Sequence, residues 1–293
     1  DFTGKLFQSY ELKGLSATSF LKFMSHTCAA NLAQFFGLRG RVIPTSSACT
    51  SGSQAIGYGY EAIADGRQEI MICGGAEELH AVTATIFDLF GATSNGFNTR
   101  PEASPRPFDR DRDGLVIGEG AASLVLERRD QALARGAQIL GEVIGFGTNC
   151  DGSHITAPSQ SGMRAAMALA LDDAGLHAGD VDYISAHGTA TLLGDVAESL
   201  ATAEVFGTST PVASTKGFTG HTLGACGAME SAFCLGMMAE NFMAGGRNLD
   251  NVDPNCAPLA YLTEARPGGP NVAVNNNFAF GGVNTSLVFR RPS

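Results

Sequence analysis

The segment Thr45-Ser46-Ser47-Ala48-Cys49-Thr50-Ser51-Gly52-Ser53 constrains the fold more than any other stretch of this chain. It follows the apolar pair Val42-Ile43 and runs into the small-residue sequence Gln54-Ala55-Ile56. That order predicts a buried strand, a tight turn, and then a helix with a thiol in its first turn. The unpaired N–H groups and positive dipole end at a helix start favour a thiolate, the nucleophilic form of cysteine. A lone cysteine more often does no more than fill space in a core. Two later segments argue for chemistry instead: Ala186-His187-Gly188-Thr189-Ala190-Thr191 and Lys216-Gly217-Phe218-Thr219-Gly220-His221. One thiol and two loop histidines point to covalent acyl transfer.

Strand and helix signals alternate along the chain in two stretches of similar grammar. The first has apolar strand segments at 41–47, 69–75 and 121–126, a helix at 50–65, and a long irregular loop at 93–112. The second opens with a strand at 139–147 and a helix at 161–174, whose Met163, Ala166, Met167 and Ala170 lie at helical spacing. A strand at 181–185, a helix at 195–205 and a strand at 212–214 follow. A helix at 222–240 begins with small residues that allow something to pack very close. Two final strands, 272–275 and 286–289, flank the glycine loop Phe278-Ala279-Phe280-Gly281-Gly282. This alternation predicts an α/β fold with a largely parallel sheet and helices on its faces. Sites in such folds form at loops beyond the carboxyl ends of strands, where all three motifs fall.

Composition narrows the function classes. With 293 residues, 44% of them hydrophobic, the chain can build one large or two fused α/β domains. It has no uninterrupted apolar run of ~18 residues and no secretory signal at its start. Its seven cysteines are scattered without CxxC spacing, which fits a reducing cytoplasm and argues against disulfide scaffolds and structural zinc. No metal site is expected. The net charge of −10 argues against nucleic-acid binding. Residues 1–41 hold Lys5, Lys13, Lys22, Arg39 and Arg41 against Asp1 and Glu11, a net +3 that leaves −13 for the remainder. A basic face on an acidic protein suits docking of an acidic partner.

A thiolate attacking a thioester needs an oxyanion hole. The Cys49 N–H and an amide of the loop around Phe280 are the candidate donors. A carbanion made by decarboxylation needs two donors on its enolate oxygen, a task suited to neutral histidines. Lys216, five residues before His221, is placed to orient a carboxylate or another side chain.

These motifs resemble those of elongating-type β-ketoacyl-acyl-carrier-protein synthases, condensing enzymes of the thiolase superfamily. The SxACxxG motif stands at Ser46–Gly52, HGTxT at His187–Thr191 and STKxxTGHxLGAxG at Ser214–Gly227. RPFDxxRDGxVxGEGA stands at Arg106–Ala121 and NxFxFGGxN at Asn276–Asn284. The resemblance implies a thiolase-like fold, two pseudo-symmetric βαβαβαββ halves in an α/β/α/β/α arrangement. Residues 1–130 would be the remainder of the N-terminal half with the nucleophile, and 131–293 the C-terminal half with both histidines. About a hundred residues that precede this start in relatives, including the first βαβ unit, have no counterpart. A fragment or a processed form is therefore expected.

The resemblance further implies that Cys49 is acylated and that His187 and His221 hold the malonyl thioester oxygen during decarboxylation. Lys216 becomes a charged organiser paired with Glu198. Thr189, Thr191 and Thr156 would bind the phosphopantetheine arm, and Phe280 and Phe278 would form the gate, the Phe280 amide joining the oxyanion hole. Lys13 and Arg100 would dock the acyl-carrier protein. No cofactor is expected beyond that carrier's phosphopantetheine. Asp109 and Asp113 read as structural caps; His26, His80 and His177 read as packing or surface residues, and His154 is left open between loop and tunnel. A homodimer and a ketosynthase heterodimer both remain open.

Leu192 replaces the usual proline, Ala279 a glycine, and Leu115 an aromatic. Gly217-Phe218 and the wording of Phe35–Val42 resemble synthases of polyene-type pathways. Two alternatives are disfavoured. A degradative thiolase carries a second cysteine in its final loop, and Asn277–Gly282 has none. A non-catalytic chain-length subunit loses the nucleophile, and Cys49 is present.

Overall fold

The computed structural model describes Gln8, residues 16–22 and residues 24–292. The chain divides into two compact units, Asp1–Ser46 and Ser47–Ser293. The first contains helices α1 (Ala17–Leu21) and α2 (Thr27–Phe36), the latter ended by Gly37 in the left-handed conformation, φ 67°. Residues 41–47, expected as a buried strand, are irregular, and Val42 is 46% exposed. A strand exists through its ladder, and no described strand pairs with this stretch.

The second unit begins with a 3₁₀ turn at Ala48–Thr50 that leads into α3 (Ser51–Ala64). Then come β1 (Ile70–Glu77), α4 (Ala81–Leu89), β2 (Gly120–Glu127) and α5 (Arg129–Ala134). They are followed by β3 (Glu142–Cys150), α6 (Gln160–Ala174), β4 (Tyr183–Ser185), α7 (Leu192–Phe206) and β5 (Pro211–Ala213). The short helix α8 (Lys216–Thr219) and α9 (Cys226–Glu240) precede three two-residue strands, β6 (Phe242–Met243), β7 (Ala260–Tyr261) and β8 (Arg266–Pro267). A hairpin of β9 (Val272–Ala279) and β10 (Val283–Arg290) closes the unit.

β1 and β2 form an antiparallel pair, and β6 pairs with β8. The main sheet has the order β3-β10-β9-β4-β5-β7. It is mixed, where a largely parallel sheet was expected: β9-β4-β5-β7 run parallel, but β3-β10 and β10-β9 are antiparallel. For β9 and β10 the cause is local, since the three-residue connection 280–282 can join only antiparallel neighbours.

Period-2 alternation sorts the side chains of this sheet into two cores. Val272, Val274 and Val288 face the cluster built with α6 and α7. Ala273, Leu287 and Phe289 face the cluster that includes Ile56 of α3 and Cys234 and Met237 of α9. Both faces are covered, which is why Val272–Val274 and Leu287–Phe289 read as continuous apolar runs. Met71, Cys73, Leu124 and Leu126 of β1 and β2 join the same second cluster, so α3 and α9 form a helical layer between the two sheets. The opposite face of the β1–β2 pair carries Ile70, Ile72 and Val125, all exposed.

The small residues at the start of α9 have a definite purpose. A Cβ added at Gly227 would lie 2.6 Å from the Ser53 amide nitrogen, and one added at Gly52 would lie 2.7 Å from that of Ala228. The backbones of α3 and α9 touch there, and this contact holds the turn carrying Cys49 against the segment following His221.

Candidate active site

Cys49 is 7% exposed in its 3₁₀ turn, and the residue before it, Ala48, is forced to φ 49°. The turn is tied by Thr50 N–H to the Ser47 carbonyl and by the Ser51 hydroxyl to the Ala48 carbonyl. The Cys49 Sγ lies 2.9 Å from Nε2 of His221. Burial pushes the thiol up to about 12, against the pull of the Lys216 charge and of its own amide. The expectation of a resting thiolate is therefore corrected: desolvation outweighs the helix end, and Cys49 rests as a thiol.

His187 stands at the end of β4 and His221 follows α8, both at carboxyl ends of parallel strands or just beyond. Their rings are 5.1 Å apart and nearly perpendicular. Burial, reinforced by Lys216, pushes both well below the usual histidine range, so both are neutral. Lys216 Nζ lies 3.4 Å from His187 Nδ1. An ammonium can only donate, so Nδ1 accepts and the His187 proton resides on Nε2. The His221 backbone is fixed by its N–H to the Val116 carbonyl at 2.7 Å and by Gly118 N–H to its own carbonyl at 3.0 Å.

The expected Lys216–Glu198 pair is not the one formed. Lys216 Nζ binds Glu230 Oε1 at 2.5 Å, and Asn277 Nδ2 donates to the other Glu230 oxygen at 2.7 Å. Burial opposes the charge on Lys216, but Glu230 outweighs it and holds the ammonium above its ordinary range. Glu198 instead accepts the backbone N–H groups of His187 and Gly188, both at 2.7 Å, and so fixes the loop that carries His187. Glu230 and Asn277 are the members that sequence reasoning missed. A signal existed: Glu230 is the lone charge amid the apolar and small residues 226–238.

Cys49, His187 and His221 open into a cavity of about 370 Å³. Thr156, Thr189 and Thr191 line it, the last two with hydroxyls 3.0 Å apart. Phe278 is buried edge-on to His187 at 5.9 Å. Phe280 is 38% exposed, stacked on Phe87 at 5.7 Å and edge-on to Phe90 at 6.2 Å. Gly281 and Gly282 take the positive φ values of that loop, 90° and 72°, so Ala279 in place of glycine meets no conformational demand. Arg100 is exposed over the Phe97 ring and does not line the cavity. Lys13 lies outside the described residues.

Asp109 and Asp113 cap amides as expected, those of Asp111, Asp250 and Asn251 and those of Asn95 and Gly96 respectively. His80 caps α4 through Val82 N–H, and His154 accepts from Thr156 and Ala157 N–H, which assigns it to loop geometry. The ligating atoms of Cys49, His187 and His221 lie within 4.8 Å of one another, a span a metal ion could bridge, but the Lys216 ammonium against His187 opposes a cation there.

Residues 4–132 match the N-terminal domain of beta-ketoacyl synthases, and residues 140–250 match the C-terminal domain. The chain belongs to the beta-ketoacyl synthase family. Over 282 residues it is 39% identical to 3-oxoacyl-[acyl-carrier-protein] synthase 1 of Haemophilus influenzae, covering 96% of this chain and 69% of the relative. Among solved structures, a beta-ketoacyl synthase from Burkholderia phymatum STM815 is 52% identical with a TM-score of 0.96, matching 100% of this chain and 72% of its own. The ishigamide ketosynthase/chain length factor is 32% identical with a TM-score of 0.93, matching 100% of this chain and 71% of its own. The fold is thus thiolase-like, with the described residues supplying the main sheet, the β1–β2 pair and the helical layer between them. No described helix is long and apolar enough to cross a membrane.

Proposed function

We propose that this chain is the catalytic subunit of a β-ketoacyl-acyl-carrier-protein synthase. It carries out decarboxylative Claisen condensation in fatty-acid or polyene-type synthesis. One observation carries the reading: a buried thiol 2.9 Å from His221, beside a second neutral histidine whose tautomer is set by Lys216.

In the first half-reaction Cys49 Sγ attacks an acyl thioester. Because the thiol rests protonated, His221 Nε2 accepts its proton and passes it to the departing phosphopantetheine sulfur. The Cys49 and Phe280 amides serve the tetrahedral oxyanion. In the second half-reaction the His221 ring, left with its proton on Nδ1, shifts it to Nε2, and His187 and His221 then each donate from Nε2 to the carbonyl oxygen of a malonyl thioester. The bond to the carboxylate breaks, CO₂ leaves, and the electron pair is held as an enolate. The enolate carbon attacks the acyl carbon, the bond to Cys49 Sγ breaks, and the sulfur takes a proton.

Thr156, Thr189 and Thr191 hold the phosphopantetheine arm along the cavity wall, and Phe278 and Phe280 form its gate. No cofactor beyond that arm enters the scheme. The partner is an acidic acyl-carrier protein, docked by Lys13 and Arg100. A second ketosynthase-type subunit, identical or a chain-length partner, completes the dimer. Retention of Cys49 assigns this chain the catalytic place in either. Two halves meeting at residues 130 and 131 and a cytoplasmic location complete the reading, the latter supported by seven cysteines that remain free thiols.

The test incubates the protein with an acyl-carrier-protein thioester and then malonyl-carrier protein. Mass spectrometry should find the acyl group on Cys49 and then a β-ketoacyl carrier product. An adduct on another residue, or none, would contradict the reading.

A further inference from the structure

Leu115 lines two cavities. One is the catalytic cavity, and the other, of about 270 Å³, lies behind it against Leu79, Ala84, Phe97, Pro101, Val116 and Ile117. Leu115 is 4% exposed and is the residue the two linings share. Its backbone is clamped on both sides: its N–H binds the Ala92 carbonyl, and its carbonyl accepts Ser94 N–H, each at 2.8 Å. Only the side chain is left to move.

The segment has a defined relation to the chemistry. Ile117 forms a bridge with His221, and the Val116 carbonyl accepts the His221 N–H. The wall beginning at Leu115 therefore runs alongside a histidine that, on the reading above, holds the enolate oxygen. On that reading the enolate's α-carbon lies in the cavity that Leu115 helps to line. An aromatic ring at position 115 would be a rigid partition. A leucine can change rotamer, and here it has behind it a cavity to turn into, lined by Leu79, Ala84, Val116 and Ile117 together with Thr93, Ser94, Asn98 and Ser104.

We propose that Leu115 sets the size of the extender, and that this enzyme condenses malonyl thioesters carrying a small α-alkyl branch, the branch displacing the Leu115 side chain toward the second cavity. The inference rests on the proposed condensing activity. The carbon–carboxylate bond breaks with loss of CO₂, and its electron pair forms the bond from the branched α-carbon to the acyl carbon. The acyl–Cys49 thioester breaks, and the sulfur takes a proton from solvent.

The experiment measures kcat/KM for methylmalonyl-, ethylmalonyl- and malonyl-carrier protein with the same acylated enzyme, in wild type, Leu115→Phe and Leu115→Ala. Wild type should use both malonyl and methylmalonyl extenders. Leu115→Phe should cut the methylmalonyl-to-malonyl ratio by about tenfold or more, the usual discrimination for one methyl-sized group, and Leu115→Ala should raise the ethylmalonyl-to-malonyl ratio. Should Leu115→Phe fail to fold, judged by loss of Cys49 acylation, the Leu115→Ala ratio decides alone. Malonyl condensation with extender ratios that do not move in either folded variant would overturn this inference and leave the condensing function standing. Absence of malonyl condensation in wild type would overturn both.

Discussion

Lys216 and Glu198 show how single buried ionisable groups divide the work of the site. Lys216 is 1% exposed and stays charged because Glu230 faces it, and that charge fixes His187 with its proton on Nε2. Glu198 receives two amides in place of a cation. Burial lifts its pKa from 4.5 to about 8, with the Gly188 and His187 amides pulling back. A raised carboxyl pKa places its stability at low pH: the contribution is full below about 4.5 and is lost as pH rises through about 8. Between those limits the loss is on the order of a few kcal/mol. Glu198→Gln removes the titration, so the fall in unfolding free energy from pH 5 to pH 9 should be shallower than in wild type. Equal slopes would contradict the assignment. Reading the sequence located Cys49, His187, His221 and Lys216 through their loop motifs, but it paired Lys216 with the wrong glutamate. Sequence proximity favoured Glu198, eleven residues after His187, whereas the pair is made by α9 crossing behind the site.

At the scale of elements, the α3–α9 contact decides whether the thiol meets the histidines. Its two glycines bring backbone against backbone, so Gly227→Ala must push α9 away from Ser53. Overpacking of this kind costs about 1–3 kcal/mol, and here it should also slow acylation of Cys49 by separating Sγ from His221. Gly236, on the same helix, is the control, since a methyl added there would meet nothing within 4 Å. Gly236→Ala should change stability by no more than about 1 kcal/mol, in the stabilising direction. Thermal unfolding and the acylation rate of the two variants check the contrast. The elements themselves were largely legible: helices at 51–64, 160–174 and 192–206 sit within a few residues of the apolar periodicity that predicts them. The strand at 41–47 was not, because apolar residues signal a strand only where neighbours supply a ladder. The antiparallel half of the main sheet was also missed, though the short glycine connection between β9 and β10 implied it.

For the molecule as a whole, the layering places three chain-distant loops at one cavity, which is the arrangement two consecutive half-reactions need. Cys49 enters from the layer between the sheets, His187 from the end of β4, and His221 from the turn between α8 and α9. The class of fold and the class of chemistry were both readable, since nucleophile and histidines each sit in a turn or loop that leads into a helix. The protonation of the thiol was not, because burial is a property of the packed whole and reverses what the helix end alone implies. On the proposed mechanism His187 serves the enolate and not the thiol: of the two histidines, it is His221 that reaches Sγ. The direct measurement separates the half-reactions in His187→Ala, following acyl transfer to Cys49 by intact mass and CO₂ release from malonyl-carrier protein. Acylation should persist at close to the wild-type rate while decarboxylation falls about 10²–10³-fold, the usual loss of an oxyanion donor. Equal loss of both would contradict the account and make His187 part of the machinery that activates the thiol.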